Sequence, residues 1–303
     1  MNELITLFLN NLLPVLLVAS AGYLLSIFTN LNPSSLSKVT FYIFSPCLIF
    51  TLLTQNKLSD GDVLRVAAFA VTTTLFIGLL TWIAGRLLKL ERRMLASILL
   101  ATMFMNSGNY GLSVVLFAFG ETALSYASLY FVVIAILAYT LGVIIASMGT
   151  ASFSQAFLNL FKIPMLYAVI LALVYNRTSW TVPVPLDRAI NISADASIPT
   201  MIVLLGLQLK SVDWSKSTKP LLVATTLRLV VSPFIAIILG PAFGFSGLAR
   251  QAIVTESAMP TAVLTSLLAT EYNTEPTFVT SVIFISTITS PITLTPLLAF
   301  LGA

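Results

Sequence analysis

Hydrophobic residues fill most of this chain in ten long stretches, which short polar segments separate. Each stretch is close to the ~20 apolar residues that a helix needs to cross the ~30 Å hydrocarbon core of a bilayer. They run approximately over 4–28, 34–54, 63–88, 93–119, 123–148, 161–176, 189–209, 219–241, 248–270 and 276–301. The pattern therefore predicts an all-α polytopic membrane protein with ten transmembrane helices.

The ten predicted helices divide evenly around a short polar linker. The first five lie in residues 1–148, the linker covers 149–160, and the other five lie in 161–303. Pro46 in the second span has a counterpart in Pro199 of the seventh. Because five is an odd number, the second repeat must be inverted relative to the first, which is an architecture of transporters.

Two polar or proline-containing interruptions fall at corresponding places in the two halves. Asn106-Ser107-Gly108-Asn109-Tyr110-Gly111 interrupts the fourth span, and Met259-Pro260-Thr261 interrupts the ninth. Broken backbone at membrane depth cannot face lipid, because its N–H and C=O groups would have no partners, so it must be buried in protein or line a cavity. Paired breaks in matching helices mark the substrate site of many secondary transporters.

The residues around the two breaks are suited to binding an anion. The N-terminal ends of half-helices attract carboxylates, and the C-terminal ends favour cations. Glycine permits close approach of backbone, while asparagine and serine offer donors and acceptors without charge. The predicted substrate-binding residues are Asn106, Ser107, Gly108, Asn109, Tyr110, Pro260 and Thr261. The competing interpretation is a pair of kinks that neighbouring helices and water satisfy.

Three charged residues lie inside predicted spans, namely Asp195, Arg228 and Glu256. A charge at this depth is costly, so each should pair or face water. Glu256, one turn before Pro260, is the candidate cation or proton site together with Ser257, and Na⁺ is the candidate ion; its alternative role is that of a structural hydrogen-bond acceptor. Arg228 could receive an anionic substrate, but a fixed internal ion pair with Asp195 is preferred because an unpaired buried arginine would be costly.

Composition excludes several other classes of protein. The chain is 58% hydrophobic and 9% charged, with a mean hydropathy of +1.00, whereas soluble domains carry about 25% charged residues. The chain has no histidine, which argues against a zinc site or a Ser-His-Asp enzyme, and its net charge of +4 is spread over loops, which argues against nucleic-acid binding. The single cysteine, Cys47, gives no disulfide framework. No enzyme activity is expected, and Na⁺ is the only cofactor considered.

The distribution of Lys and Arg predicts that both termini lie outside the cytoplasmic (inner) membrane. In that orientation the inner side carries Lys38, Arg86, Lys89, Arg92, Arg93, Lys162, Lys210, Lys216 and Lys219. The outer side carries only Lys57, Arg65, Arg177, Arg188 and Arg250. The first apolar segment has no basic residues before it and is expected to stay as a transmembrane helix.

The two break sequences resemble the crossover motifs of the auxin efflux carrier family, which includes plant PIN-type auxin exporters and bacterial permeases. The similar segments are 106–112 (NSGNYGL) and 256–262 (ESAMPTA), followed by the tail from Ala269. The resemblance implies ten helices in two inverted repeats, crossed helices 4 and 9 in a mobile domain beside a scaffold domain, and homodimers. Ser113 stands where the family usually has proline.

The resemblance also implies roles for single residues. Asn106 matches a crossover asparagine that contacts substrate, and Pro260 matches the ninth-helix crossover proline. Glu256 matches the position of a carboxylate that binds sodium in the related bile acid:sodium symporter fold.

These observations favour a secondary transporter for a small organic anion, in particular a carboxylate, coupled to Na⁺ or H⁺, and the resemblance implies an elevator-type mechanism. An uncoupled uniporter or a channel-like anion pathway is the alternative. A membrane enzyme using Asp195 and Glu256 as a hydrolytic pair is a poorer one. The expected partners are the small anion, the lipid bilayer and a second copy of the chain, with no nucleic acid.

Overall fold

The computed structural model describes residues 2–29, 31–55, 58–147, 161, 163–178, 181–209 and 217–303, and its regular structure there is helical. The only strand-like pairing in those ranges is one isolated bridge. The predicted linker 149–160 and four of the basic residues used for orientation, Lys57, Lys162, Lys210 and Lys216, lie outside the described residues.

Eleven helices, labelled α1–α11, organise the described ranges. Those of the first half are α1 (Leu4–Phe28), α2 (Pro33–Gln55), α3 (Asp60–Leu87), α4 (Arg92–Met103) and α5 (Ser107–Ala146). Those of the second half are α6 (Pro164–Arg177), α7 (Val184–Gln208), α8 (Thr218–Ala242), α9 (Gly247–Ser257), α10 (Leu264–Glu271) and α11 (Pro276–Leu301).

Seven of the described helices are long and apolar enough to cross a membrane: α1, α2, α3, α5, α7, α8 and α11. The prediction of an all-helical, multi-pass membrane protein is therefore confirmed. The number differs from ten for three reasons. The breaks cut the fourth and ninth predicted spans into shorter helices, α6 has only 14 residues, and α5 runs for 40 residues through the predicted boundary between spans four and five.

A sharp bend divides the long helix α5. Gly120 lies inside it with φ 78° and ψ −173°, a backbone conformation that is not helical and that residues with a side chain rarely adopt. An added Cβ there would meet no atom within 4 Å, so glycine is needed for conformation rather than for space. Glu121, next to the bend, is exposed. The bend falls where the sequence pattern placed the connection between two spans.

Local sequence signals explain where several helices begin and end. Proline occupies the first turn of α2, α6 and α11, where its missing N–H is not needed. Ser59 and Asp62 form a reciprocal capping box at the start of α3. Gly302 adopts a left-handed conformation and ends α11.

The helices pack in two groups. In one, α1 lies against α7, and α2 lies against α6 and α7. In the other, α5 packs on α3 and α9, α8 packs on α3 and α9, and α11 packs on α4 and α10. The two breaks lie in the second group.

Backbone meets backbone where α1 crosses α7. A Cβ added to Gly22 would lie 2.3 Å from the Val203 carbonyl oxygen, and one added to Gly206 would lie 1.8 Å from the Ala19 carbonyl oxygen. Small residues allow such close approach between helices in a membrane. The first helix of the chain is therefore fixed to a helix of the second half.

Candidate substrate and ion site at the two helix breaks

The two broken segments pair with each other in the middle of the molecule. Met105 and Thr261 are opposite residues of an antiparallel bridge. The Asn106 N–H donates to the Pro260 carbonyl at 2.7 Å, and the Ala262 N–H donates to the Phe104 carbonyl at 2.9 Å. Each break thus satisfies backbone groups that the other would leave without partners, which is what membrane depth requires.

The side chain and N–H of Thr261 fix the second break to two further helices. Its hydroxyl donates to the Ala101 carbonyl near the end of α4 at 2.7 Å. Its N–H donates to the Ser286 hydroxyl of α11 at 3.2 Å. Thr261 is fully buried, and its hydrogen bonds position the crossing rather than face a cavity.

Arg228 of α8 lies fully buried where the C-terminal ends of α4 and α9 meet. Its guanidinium donates to the Thr102 carbonyl at 2.7 Å, and also to the Ser257 carbonyl and the Ser232 hydroxyl. Helix C-termini carry carbonyls without intrahelical partners and a partial negative charge. Arg228 therefore caps two helix ends at once.

The structure does not bring Asp195 and Arg228 together. Asp195 is exposed near the middle of α7, and the acceptors of Arg228 in the described ranges are the Thr102 and Ser257 carbonyls and the Ser232 hydroxyl. The preferred interpretation of a fixed internal pair is thus corrected: helix-end carbonyls replace the carboxylate as acceptors. Asp195 is exposed, whereas Glu256 is fully buried.

Glu256 is fully buried in the last turn of α9, and neither of its carboxylate oxygens has a hydrogen-bond partner. The carboxylate packs directly on Gly111 in the first turn of α5, where an added Cβ would lie 2.4 Å and 2.7 Å from its two oxygens. The Ser107 hydroxyl lies near it without completing a hydrogen bond. A buried carboxylate without partners is costly unless a proton or a cation neutralises it.

The Ser257 hydroxyl is already engaged elsewhere. It donates to the Ile253 carbonyl at 2.8 Å and lies 3.0 Å from the Tyr130 hydroxyl. The described residues contain no cluster of three or more His, Cys, Asp or Glu side chains. Carboxylate oxygens such as those of Glu256 can bind a proton or a hard cation such as Na⁺.

A small cavity of about 150 Å³ adjoins the crossing. Residues at the starts of α5 and α10 line it, among them Asn106, Gly108, Asn109, Val263 and Leu264. Its other walls come from Phe104, Phe131, Tyr139 and Gln208. The start of α5, which carries the predicted anion-binding motif, thus faces this cavity.

The predicted site residues differ in what they face. The Asn106 side-chain amide nitrogen and the Ser107 hydroxyl are buried without hydrogen-bond partners. Asn109 donates to Gln208 at 3.5 Å. Tyr110 is fully buried and accepts a hydrogen bond from Ser290 at 3.3 Å; it lines neither of the two cavities described here.

A larger cavity of about 520 Å³ shares walls with the small one. Phe41, Tyr139, Gln208, Val263 and Leu267 line both. Beyond them, the larger cavity reaches Pro33, Leu209 and Tyr272 at helix ends, with Lys38 and Glu271 as its charged residues. It forms a vestibule to the crossing.

Gln208, Phe131 and Tyr139 line the small cavity but are not among the site residues predicted from the sequence. Gln208 carried a weak signal, since it is a lone amide at the end of an apolar span. The two aromatic residues carried none, because aromatic side chains are common throughout the apolar spans.

A Gly111→Ala substitution is expected to destabilise the protein by roughly 1–3 kcal/mol, because the new methyl group would overlap the Glu256 carboxylate. The higher helix propensity of alanine, ~1 kcal/mol, would offset part of this. Thermal unfolding of the purified variant measures the effect. The double variant Gly111→Ala/Glu256→Ala should recover stability; a single variant as stable as the wild type would contradict the contact.

Comparison with known proteins agrees with this architecture. A family model described as "Membrane transport protein" matches residues 7–154 and 148–298. An uncharacterized transporter of Methanothermobacter thermautotrophicus is 28% identical over 93% of this chain and 94% of its own length. One of Methanocaldococcus jannaschii is 26% identical over 90% of this chain and 92% of its own.

A plant protein is similar over a shorter region. Auxin efflux carrier component 4 of Arabidopsis thaliana is 30% identical over 45% of this chain and 23% of its own length. The family model covers nearly all of the chain. With its crossed breaks and membrane-length helices, the chain belongs to the membrane transport protein family that includes the auxin efflux carriers.

Proposed function

We propose that the protein is a secondary active transporter that moves a small organic anion, in particular a carboxylate, across the cytoplasmic (inner) membrane in exchange for or together with Na⁺ or H⁺. One observation carries the proposal: the two helix breaks pair with each other in antiparallel fashion, and this pair lies between a cavity and the buried Glu256. Carriers place substrate and coupling ion at such a midplane crossing of discontinuous helices.

Ten membrane crossings follow if the short helices are joined across their breaks. α4 continues through Asn106 into the first part of α5, and α9 continues through Pro260 into α10. The bend at Gly120 then separates crossings four and five. Five crossings on each side of the linker 149–160 support two inverted repeats with both termini on the same side of the membrane, and the Lys and Arg distribution favours the outside.

The small cavity supports an anionic substrate of modest size. Asn106 and Asn109 offer amide donors, the start of α5 offers backbone N–H groups, and Phe104 and Phe131 offer apolar surface. No Lys or Arg is among the described residues that line it. One relative is named for auxin efflux, but its similarity covers less than half of this chain, and auxin itself is not part of the proposal.

The vestibule supports an alternating-access mechanism. Pro33, Leu209 and Tyr272 line the vestibule. In the proposed orientation, each of them lies at a helix end next to a connection on the inner side of the membrane. Towards the outer side, at the connection between α8 and α9, the ring centroid of Phe69 lies 5.6 Å from the ring centroids of Phe243 and Phe245. This arrangement is that of an inward-open carrier. An elevator motion would move the group of helices holding the breaks against α1, α2, α6 and α7.

A homodimer is proposed through α2 and α7, which match each other across the repeat. The two helices contact each other within one copy, with a 3.3 Å hydrogen bond from Thr51 to Asn191. Their exposed residues include Ile43 and Ile192, which would be buried against a second copy or lipid.

Charge displacement across proteoliposomes tests the proposed function. Purified protein is challenged with a panel of small carboxylates, each with and without Na⁺ and at two pH values. A saturable current that depends on Na⁺ or pH is expected for at least one acid. A saturable current indifferent to both would indicate an uncoupled uniporter, and unsaturable unitary currents would indicate a channel-like pathway. No current and no uptake of any acid in the panel would contradict a carboxylate carrier.

A further inference from the structure

The guanidinium of Arg228 joins three segments that are distant in sequence. It reaches from the middle of α8 to the last turn of α4, through Thr102, and to the last residue of α9, through Ser257. Its third acceptor, Ser232, lies one turn further along α8 and itself donates to the Ser257 carbonyl at 2.9 Å. The Ser257 carbonyl thus accepts two hydrogen bonds from side chains of α8.

The charges at this point balance without a carboxylate. Each helix C-terminus is equivalent to about −0.5 of an elementary charge, so two of them offset about one positive charge. Because the planar guanidinium has several donors in fixed directions, it can bind two carbonyls of different helices at once, which an ammonium group does less well. In the described ranges, the hydrogen-bond partners of Arg228 are all carbonyl and hydroxyl oxygens.

The clamped helix ends lie directly before the two paired breaks. Thr102 precedes Met105 by three residues, and Ser257 precedes Thr261 by four. The backbone between each clamped carbonyl and the bridge is short and buried. A fixed distance between the two helix ends therefore fixes the register in which the breaks can pair.

We propose that Arg228 is a positioning residue that holds the C-terminal ends of α4 and α9 together and thereby keeps the antiparallel bridge between Met105 and Thr261 in register. Arg228 acts on the cavity only through the bridge, and it is not a ligand of the substrate. The relevance of this clamp to transport rests on the proposed function, but the clamp itself can be tested without any substrate.

Disulfide formation across the bridge reports on the clamp. Met105 and Thr261 do not exchange backbone hydrogen bonds with each other, and opposite residues of this type have Cα atoms about 4.5 Å apart, within the range of a disulfide. Cysteines are placed at both positions in a Cys47→Ser background, which removes the one native cysteine. The rate of oxidative cross-linking is then measured in membranes.

Three substitutions in that background separate the clamp from general effects. Arg228→Gln removes the charge and most donors and should slow cross-linking at least about tenfold. Arg228→Lys keeps the charge with fewer directed donors and should give an intermediate rate. Arg250→Gln removes a half-buried positive charge from α9 without touching either clamped carbonyl, and should cross-link like the parent.

The outcomes are decisive in both directions. Slow cross-linking in a monodisperse Arg228→Gln protein, partly restored by lysine, supports the clamp. Cross-linking of Arg228→Gln at the parent rate overturns it, and so does equal slowing by Arg250→Gln. If Arg228→Gln does not yield folded protein, the lysine variant decides, and a rate equal to the parent overturns the proposal. A failure of the transport assay would leave these results unchanged, so the two proposals fail separately.

Discussion

Glu256→Gln is expected to abolish the Na⁺ and pH dependence of transport while the protein remains folded. The wild-type carboxylate is buried with neither oxygen hydrogen-bonded, and Arg228 is already bound to two helix ends. At this depth Glu256 must therefore either carry a proton or be neutralised by a bound cation. A neutral amide of similar shape removes that requirement. The proteoliposome currents with and without Na⁺, at two pH values, measure the change.

Glu121→Gln is the matched control for this prediction. It removes a carboxylate of the same type from an exposed position beside the Gly120 bend, and it should leave ion dependence unchanged. Currents of Glu256→Gln that still respond to Na⁺ or pH as in the wild type would make Glu256 a structural residue.

Gly206→Ala is expected to cost about 3 kcal/mol or more of stability and to reduce the yield of folded protein severely. Its new methyl group would lie 1.8 Å from the Ala19 carbonyl oxygen and 2.7 Å from the Tyr23 nitrogen. Both are backbone atoms of α1, so no side-chain rotation can relieve the overlap, and the helices must separate. Size-exclusion profiles and thermal unfolding of the detergent-solubilised protein measure the loss.

A glycine at which an added Cβ would make no close contact provides the comparison. Gly240 lies in α8, and the nearest atom to an added Cβ is the Arg250 Cγ at 3.9 Å. Gly240→Ala should therefore be neutral or slightly stabilising, since alanine is the better helix former. Similar unfolding temperatures for the two variants would show that α1 and α7 are not in backbone contact.

The sequence predicted the breaks because local chemistry determines them. Polar and proline-containing backbone inside an apolar span is visible in any single stretch, and so is a lone carboxylate such as Glu256. The helical, multi-pass character follows from composition in the same way. These features follow from what an apolar bilayer requires of each segment, and they do not depend on how the helices pack against one another.

Contacts between distant helices could not be predicted in the same way. Arg228 and Asp195 are the opposite charges of neighbouring spans, and only packing shows that two helix ends, rather than Asp195, accept from Arg228. The contact of Gly111 with Glu256 and the inclusion of Gln208 in both cavities likewise depend on tertiary structure. Seven described helices are long enough to cross a membrane unbroken, since the breaks leave shorter helices in the fourth and ninth spans and α6 has only 14 residues.

The pairing of the two breaks has a consequence for how the chain is made. Thr261 bonds to Ala101 across 160 residues of sequence. At synthesis rates of 5–20 residues per second, the first break waits roughly 10–30 s for its partner to leave the ribosome. During that interval the Asn106 N–H has no Pro260 carbonyl to bind, and lipid cannot replace it. The nascent first half must therefore be sheltered by water or by the insertion machinery until the second half arrives.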